Sequence, residues 1–130
     1  MEEELYMQQP PGFEQPNNVP LVCKLQKSLY GLKQAGRNWN KLIDNWMKQY
    51  GFIQSHADPC LYTLQTTIRY LAIAIYVDDL ISIDNSTELR KNFVKKMSET
   101  FKLIDLGPAR LILGTKITQF ADRIILDQQQ

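Results

Sequence analysis

Histidine and cysteine are nearly missing from this chain. His56 is the one histidine, and Cys23 and Cys60 stand far apart with no C-x-x-C spacing. Such a supply excludes the usual zinc sites and a disulfide framework. Apolar runs are short as well, and none reaches the roughly 18 residues a membrane helix needs. The start, Met1-Glu2-Glu3-Glu4, is acidic and lacks the basic-then-apolar layout of a signal peptide. An intracellular protein is expected, so the formal glycosylation sequon Asn85-Ser86-Thr87 reads as a chance match. Net charge is only +1, so the whole molecule does not advertise a polyanionic partner. Residues 19–48 differ, with Lys24, Lys27, Lys33, Arg37, Lys41 and Lys48 against Asp44 alone. That segment fits either a phosphate-facing surface or a solvated helix face.

With 44% hydrophobic and 22% charged residues over 130 positions, the chain is one globular domain or part of one. Its most informative stretch is Leu71 to Ile83, L-A-I-A-I-Y-V-D-D-L-I-S-I. An apolar run rich in β-branched residues suits a strand buried on both faces. Burying two carboxylates would cost several kcal/mol, so Asp78 and Asp79 are expected at a tight turn between paired strands. Oxygen ligands lifted out of the core in this way suit a hard cation such as Mg²⁺. An ordinary turn, where Asp is common, explains the pair equally well.

The remaining elements follow from periodicity. Leu5 to Met7 and Leu21 to Leu25 read as short extended pieces on either side of a proline-bounded loop. Trp39, Leu42, Ile43, Trp46, Met47 and Tyr50 form one apolar stripe, which predicts a helix from near Ala35 to Gly51 and a core face. Cys60 to Gln65, Tyr70 to Val77 and Leu80 to Ile83 read as strands after a connection from Phe52 to Pro59. Asn85 with Glu88 fits a capping box for a second helix, its core side Leu89, Phe93, Val94, Met97 and Phe101, broken by Leu106-Gly107-Pro108. Leu111 to Thr118 and Arg123 to Leu126 read as a last strand pair, and Gln128-Gln129-Gln130 as a frayed end. The order is an α+β layout with two helices on one face of an antiparallel sheet.

Four stretches then add up in order: Glu2 to Phe13 (E-E-E-L-Y-M-Q-Q-P-P-G-F), Leu25 to Trp39 (L-Q-K-S-L-Y-G-L-K-Q-A-G-R-N-W), Asp58 to Tyr62 (D-P-C-L-Y) and Tyr76 to Leu80 (Y-V-D-D-L). A looser fifth is Asp105-Leu106-Gly107 with Leu113-Gly114. Together they resemble the reverse transcriptase of copia-type long-terminal-repeat retrotransposons, over nearly the whole chain. The resemblance implies a polymerase palm from residue 35 to 130, with residues 1–34 as the fingers–palm connection. It implies Mg²⁺ held by Asp78, the principal ligand, and Asp79, bridging primer hydroxyl and nucleotide triphosphate. Tyr76 and Val77 would lie beside the primer terminus and Gln34 against the incoming nucleotide, with Lys33 and Arg37 as candidate phosphate contacts. Leu111 to Ile117 matches the strand region near the primer grip.

The implied partners are an RNA or DNA template-primer, deoxynucleotides and the rest of a Pol polyprotein, in the cytoplasm, a virus-like particle or the nucleus. The family carries another catalytic aspartate on a first palm strand upstream of the Glu-Glu stretch. That strand is not in this sequence, so the chain is expected to be inactive alone. Without it, Leu71 to Val77 is expected to present an unpaired, aggregation-prone edge. Two other readings stay open: a non-catalytic nucleic-acid-binding module using Tyr70 and Tyr76 as stacking faces, and a decayed transposon relic.

Overall fold

A computed structural model describes residues 4–16, 21–26, 29, 31–32 and 34–128. The expectations for Met1 to Glu3, Val19, Pro20, Lys27, Tyr30, Lys33, Gln129 and Gln130 lie outside the described residues. The chain divides into two compact units, residues 1–51 and 52–130. Both are α+β, built from α-helices and antiparallel strands.

In the first unit, β1 (Tyr6–Gln8) pairs antiparallel with β2 (Val22–Lys24), and Leu25 N–H donates to Leu5 O beyond the ladder. Lys24 is ion-paired with Glu4, which also accepts from the Tyr6 hydroxyl. Helix α1 (Ala35–Tyr50) follows. Ile43 and Met47 are its fully buried residues, and Trp46 stacks on Tyr50 with centroids 5.3 Å apart. The sequence stripe is broader than the buried one, since Leu42 is 54% exposed. The backbone leaves through Gly51 at φ 109, a left-handed cap whose N–H returns to the last turn.

The second unit opens with a four-stranded sheet in the order β3-β4-β5-β6: β3 (Ile53–Gln54), β4 (Leu61–Gln65), β5 (Tyr70–Tyr76) and β6 (Asp79–Asp84). Its core is Phe52, Tyr62, Leu71, Ala72, Ile73, Phe93 and Met97. Phe52 meets Phe93 edge-on at 5.5 Å, a geometry aromatic quadrupoles favour. Helix α2 (Thr87–Ser98) packs on β5 and β6. A separate three-stranded sheet follows, β7 (Leu111–Ile112), β8 (Thr115–Gln119) and β9 (Ile124–Asp127).

Several expectations are corrected here. Among the described residues the strands do not join one sheet but form three. The strand leading to the aspartates is not an edge: β5 is paired by β4 on one side and β6 on the other. Among the described residues the edges of this sheet are β3 and β6. The pair Ile53–Gln54 forms a strand inside the expected connection, too short to leave a periodic trace.

Helix α2 is capped by Ser86, whose Oγ accepts from Leu89 N–H at 3.3 Å, rather than by Asn85. Asn85 is drawn instead to the sheet, accepting from Tyr70 N–H at 2.7 Å and donating to Ile68 O. The helix also stops at Ser98, well before Gly107, leaving residues 102–110 irregular. Finally, Leu111 to Thr118 is not one strand. Leu113 and Gly114 both have positive φ, the sign pattern of a type I′ turn, and fold it into a hairpin.

Candidate active-site hairpin

The site is built from the turn that joins β5 to β6. Tyr76 pairs with Asp79, so only Val77 and Asp78 form the loop, and Asp79 is already the first residue of β6. The expected turn over both aspartates is thus shifted by one position. Val77 lies at φ 54, and it is the sole loop residue with positive φ. That is the sign pattern of a type II′ turn, which usually has glycine at this position. A β-branched residue there stores strain of about 1–2 kcal/mol, which a well-paired hairpin must over-determine.

The support beneath the turn is firm. Leu71 and Ile73 are completely buried, and β5 hydrogen-bonds on both sides. Strand alternation puts Leu71, Ile73 and Ile75 on one face of the sheet, together with Leu80 and Asp84 across the ladder. Arg90 of α2 reaches Asp84 at 3.2 Å, so this is the face that α2 covers. Asp79 is five residues from Asp84 and therefore on the opposite face. Tyr76 and Val77 are 56% and 58% exposed, and Asp78 and Asp79 are exposed too. Tyr70, on the face of Tyr76, is half-buried.

Tyr76, Val77, Asp78 and Asp79 are brought together at this tip. In the other unit, Gln34 and Arg37 are brought together at the start of α1. Gln34 is its N-cap residue, with φ −94 and its carbonyl accepting from Asn38 N–H at 3.0 Å. Both are exposed, and the first turn carries no acidic residue. Lys33 lies outside the described residues.

Other sequence motifs turn out to shape the scaffold. Phe13 N–H closes a turn on Pro10 O in the P-P-G-F stretch. In D-P-C-L-Y, Asp58 Oδ1 accepts from Cys60 N–H at 2.8 Å, while Tyr62 is buried and bonded by Gln54 Nε2. Asp105 accepts from Gly107 N–H and lies 3.7 Å from Arg90, so Arg90 spans Asp84 and Asp105. Sequence reading missed Arg90 and Gln54 and gave Asn85 to the helix cap, because their partners lie across turns that no periodicity records. A shallow depression on the second unit is lined by Arg110, Leu111, Gly114, Lys116 and Asp127, beside the Leu113–Gly114 turn.

Adjacent exposed carboxylates are a suitable hard-oxygen donor set for Mg²⁺, which commonly takes one or two carboxylates and completes its shell with water and phosphate oxygens. Among the described residues no group of three His, Cys, Asp or Glu could hold a metal. The pair fits one end of a cation site, therefore, not a full protein cage. No helix among the described residues is long and apolar enough to cross a membrane.

Comparison with known proteins identifies the family. The family model described as reverse transcriptase (RNA-dependent DNA polymerase) matches residues 1–130. The chain is 41% identical over 120 residues to the retrovirus-related Pol polyprotein from transposon TNT 1-94 of Nicotiana tabacum, covering 92% of this chain and 9% of that protein. It is 34% identical over 128 residues to the Pol polyprotein from transposon RE1 of Arabidopsis thaliana, covering 98% of this chain and 9% of that protein. A putative transposon Ty5-1 protein of Saccharomyces cerevisiae is 35% identical over 119 residues, 92% of this chain and 39% of that protein. No solved structure matches the chain. The chain spans about a tenth of the length of the Pol polyproteins it matches. It belongs to the reverse transcriptase (RNA-dependent DNA polymerase) family, as a reverse transcriptase domain fragment of a copia-type retrotransposon Pol polyprotein.

Proposed function

We propose that residues 35–130 are palm and residues 1–34 the fingers–palm connection of an RNA-directed DNA polymerase, with the β5–β6 tip as its metal-gripping hairpin. The observation that carries this reading is the two adjacent exposed carboxylates, one in a strained turn and one at the start of β6, at the end of a strand paired on both sides. A bound divalent cation would neutralise charge on the attacking and leaving oxygens of nucleotidyl transfer. Asp78 and Asp79 hold it. Tyr76 and Val77, exposed beside them, contact the primer terminus. Gln34 and Arg37 contact the incoming nucleotide, where a helix N-terminus without acidic residues and a guanidinium both favour phosphate. Arg110 and Lys116 give the β7–β8 turn positive charge for the primer backbone.

Two carboxylates are half of a two-cation site. Phosphate oxygens of the nucleotide and water would complete the cation's shell. The test replaces the matching segment of an active Pol relative with residues 1–130 and follows Mg²⁺-dependent primer extension on RNA. Asp78→Asn is expected to lower extension on the order of 10²–10³-fold while template-primer binding persists. Extension that survives Asp78→Asn overturns the assignment.

A further inference from the structure

Among the described residues β9 is an edge strand, and with the residue that precedes it the sequence reads Arg123-Ile124-Ile125-Leu126-Asp127. It pairs with β8 on one side only, in the register Thr118–Ile125 and Lys116–Asp127. Phe120 N–H donates to Arg123 O, so alternation turns the backbone of Arg123, Ile125 and Asp127 toward β8. The N–H and C=O groups of Ile124 and Leu126 therefore face outward. Ile124, Ile125 and Leu126 are 64%, 44% and 67% exposed. Three consecutive apolar residues on an edge, with no proline or charge among them, form a template for strand pairing.

The charges at its ends name the occupant. Antiparallel pairing of this segment with itself about Ile125 sets Ile125 against Ile125, Ile124 against Leu126, and Arg123 against Asp127. The Ile124–Leu126 pairs are those whose backbone groups face outward, so they become the hydrogen-bonded pairs. Arg123 and Asp127 fall at the non-hydrogen-bonded pair, where side chains approach most closely. Arg123 is exposed, and among the described residues it pairs with its neighbour Asp122 and lies over the Phe120 ring, an exposed pair it can exchange for another. The other long edge gives the opposite result. Self-pairing of β6 end to end would set Asp79 against Asp84, like charges that oppose association.

We propose that β9 binds the β9 of a second copy of this chain, joining two three-stranded sheets across a two-fold axis. The contact is confined to an edge, so association is weak and grows with protein concentration. The test is sedimentation equilibrium of the chain over a wide concentration range. Wild type forms dimers. Arg123→Asp alone opposes two aspartates, and Asp127→Arg alone opposes two arginines, each raising the dissociation constant about tenfold or more. Mixed in equal amounts, the two variants complement one another at both ends and dimerise as wild type does. The rescue also shows that each variant is folded. A wild-type chain that stays monomeric, association indifferent to either variant, or a mixture no better than its components overturns the proposal.

Discussion

Asp79 stands directly across the ladder from Tyr76, and the two residues between them, Val77 and Asp78, complete the turn. The pairing fixes one carboxylate on a strand and the other in the loop, so the two differ in backbone freedom although they are adjacent. It also forces Val77 to a φ of 54.

Relief of that strain is measurable. Val77→Gly removes an exposed side chain and about 1–2 kcal/mol of backbone strain, offset by about 0.5–1 kcal/mol of glycine entropy. Chemical denaturation is expected to find the variant more stable by roughly 0.5–1 kcal/mol. Ala74→Gly, three residues earlier in a regular strand, is expected to lose a similar amount.

The sheet order makes a prediction for hydrogen exchange. Asn85 N–H donates to Tyr70 O and Ile75 N–H to Cys60 O, so alternate amides of β5 face β6 and β4. All β5 amides are expected to be slow. In β6 the amides of Leu80, Ser82 and Asp84 face the open edge, and are expected to exchange much faster than those of Ile81 and Ile83. Uniform protection along β6 would mean that another strand covers it.

The start of α2 separates two capping schemes. Ser86→Ala is expected to cost about 1 kcal/mol through the lost bond to Leu89 N–H. Glu88 ion-pairs with Arg69 at 3.1 Å on an exposed surface, so Glu88→Ala is expected to cost under about 0.5 kcal/mol. Thermal melts of both variants decide between this cap and an Asn85–Glu88 box.

Glu4 supplies a pH prediction. The Lys24 ammonium, and then the Tyr6 hydroxyl, hold its carboxyl below the usual value. A carboxyl depressed in the fold contributes stability above its unfolded pKa and loses it as pH falls through the folded value. The β1–β2 ladder is therefore expected to loosen only below the ordinary carboxylate range. Carbon-detected NMR titration of Glu4 should give a low midpoint in wild type and one close to ordinary in Lys24→Met.

Much of this was legible in the sequence because the signals are local. The stripe from Trp39 to Tyr50 marked α1 and Gly51 its end, and the apolar run into Asp78-Asp79 marked the hairpin. What the sequence hid depends on long-range competition. Asn85 meets the cap rule, yet Tyr70 N–H and Ile68 O claim it from the sheet. Leu113-Gly114 looks like strand interior until both residues take positive φ. The position of β5 between β4 and β6 comes from pairing, which no periodicity records.

The most direct measurement follows Mn²⁺, standing in for Mg²⁺, by paramagnetic broadening of the backbone amide signals in the presence of a deoxynucleoside triphosphate. Broadening is expected to centre on Val77, Asp78 and Asp79, and to fall at least about tenfold in affinity in an Asp78→Asn/Asp79→Asn variant. Broadening centred elsewhere, or left unchanged by that double substitution, contradicts the account.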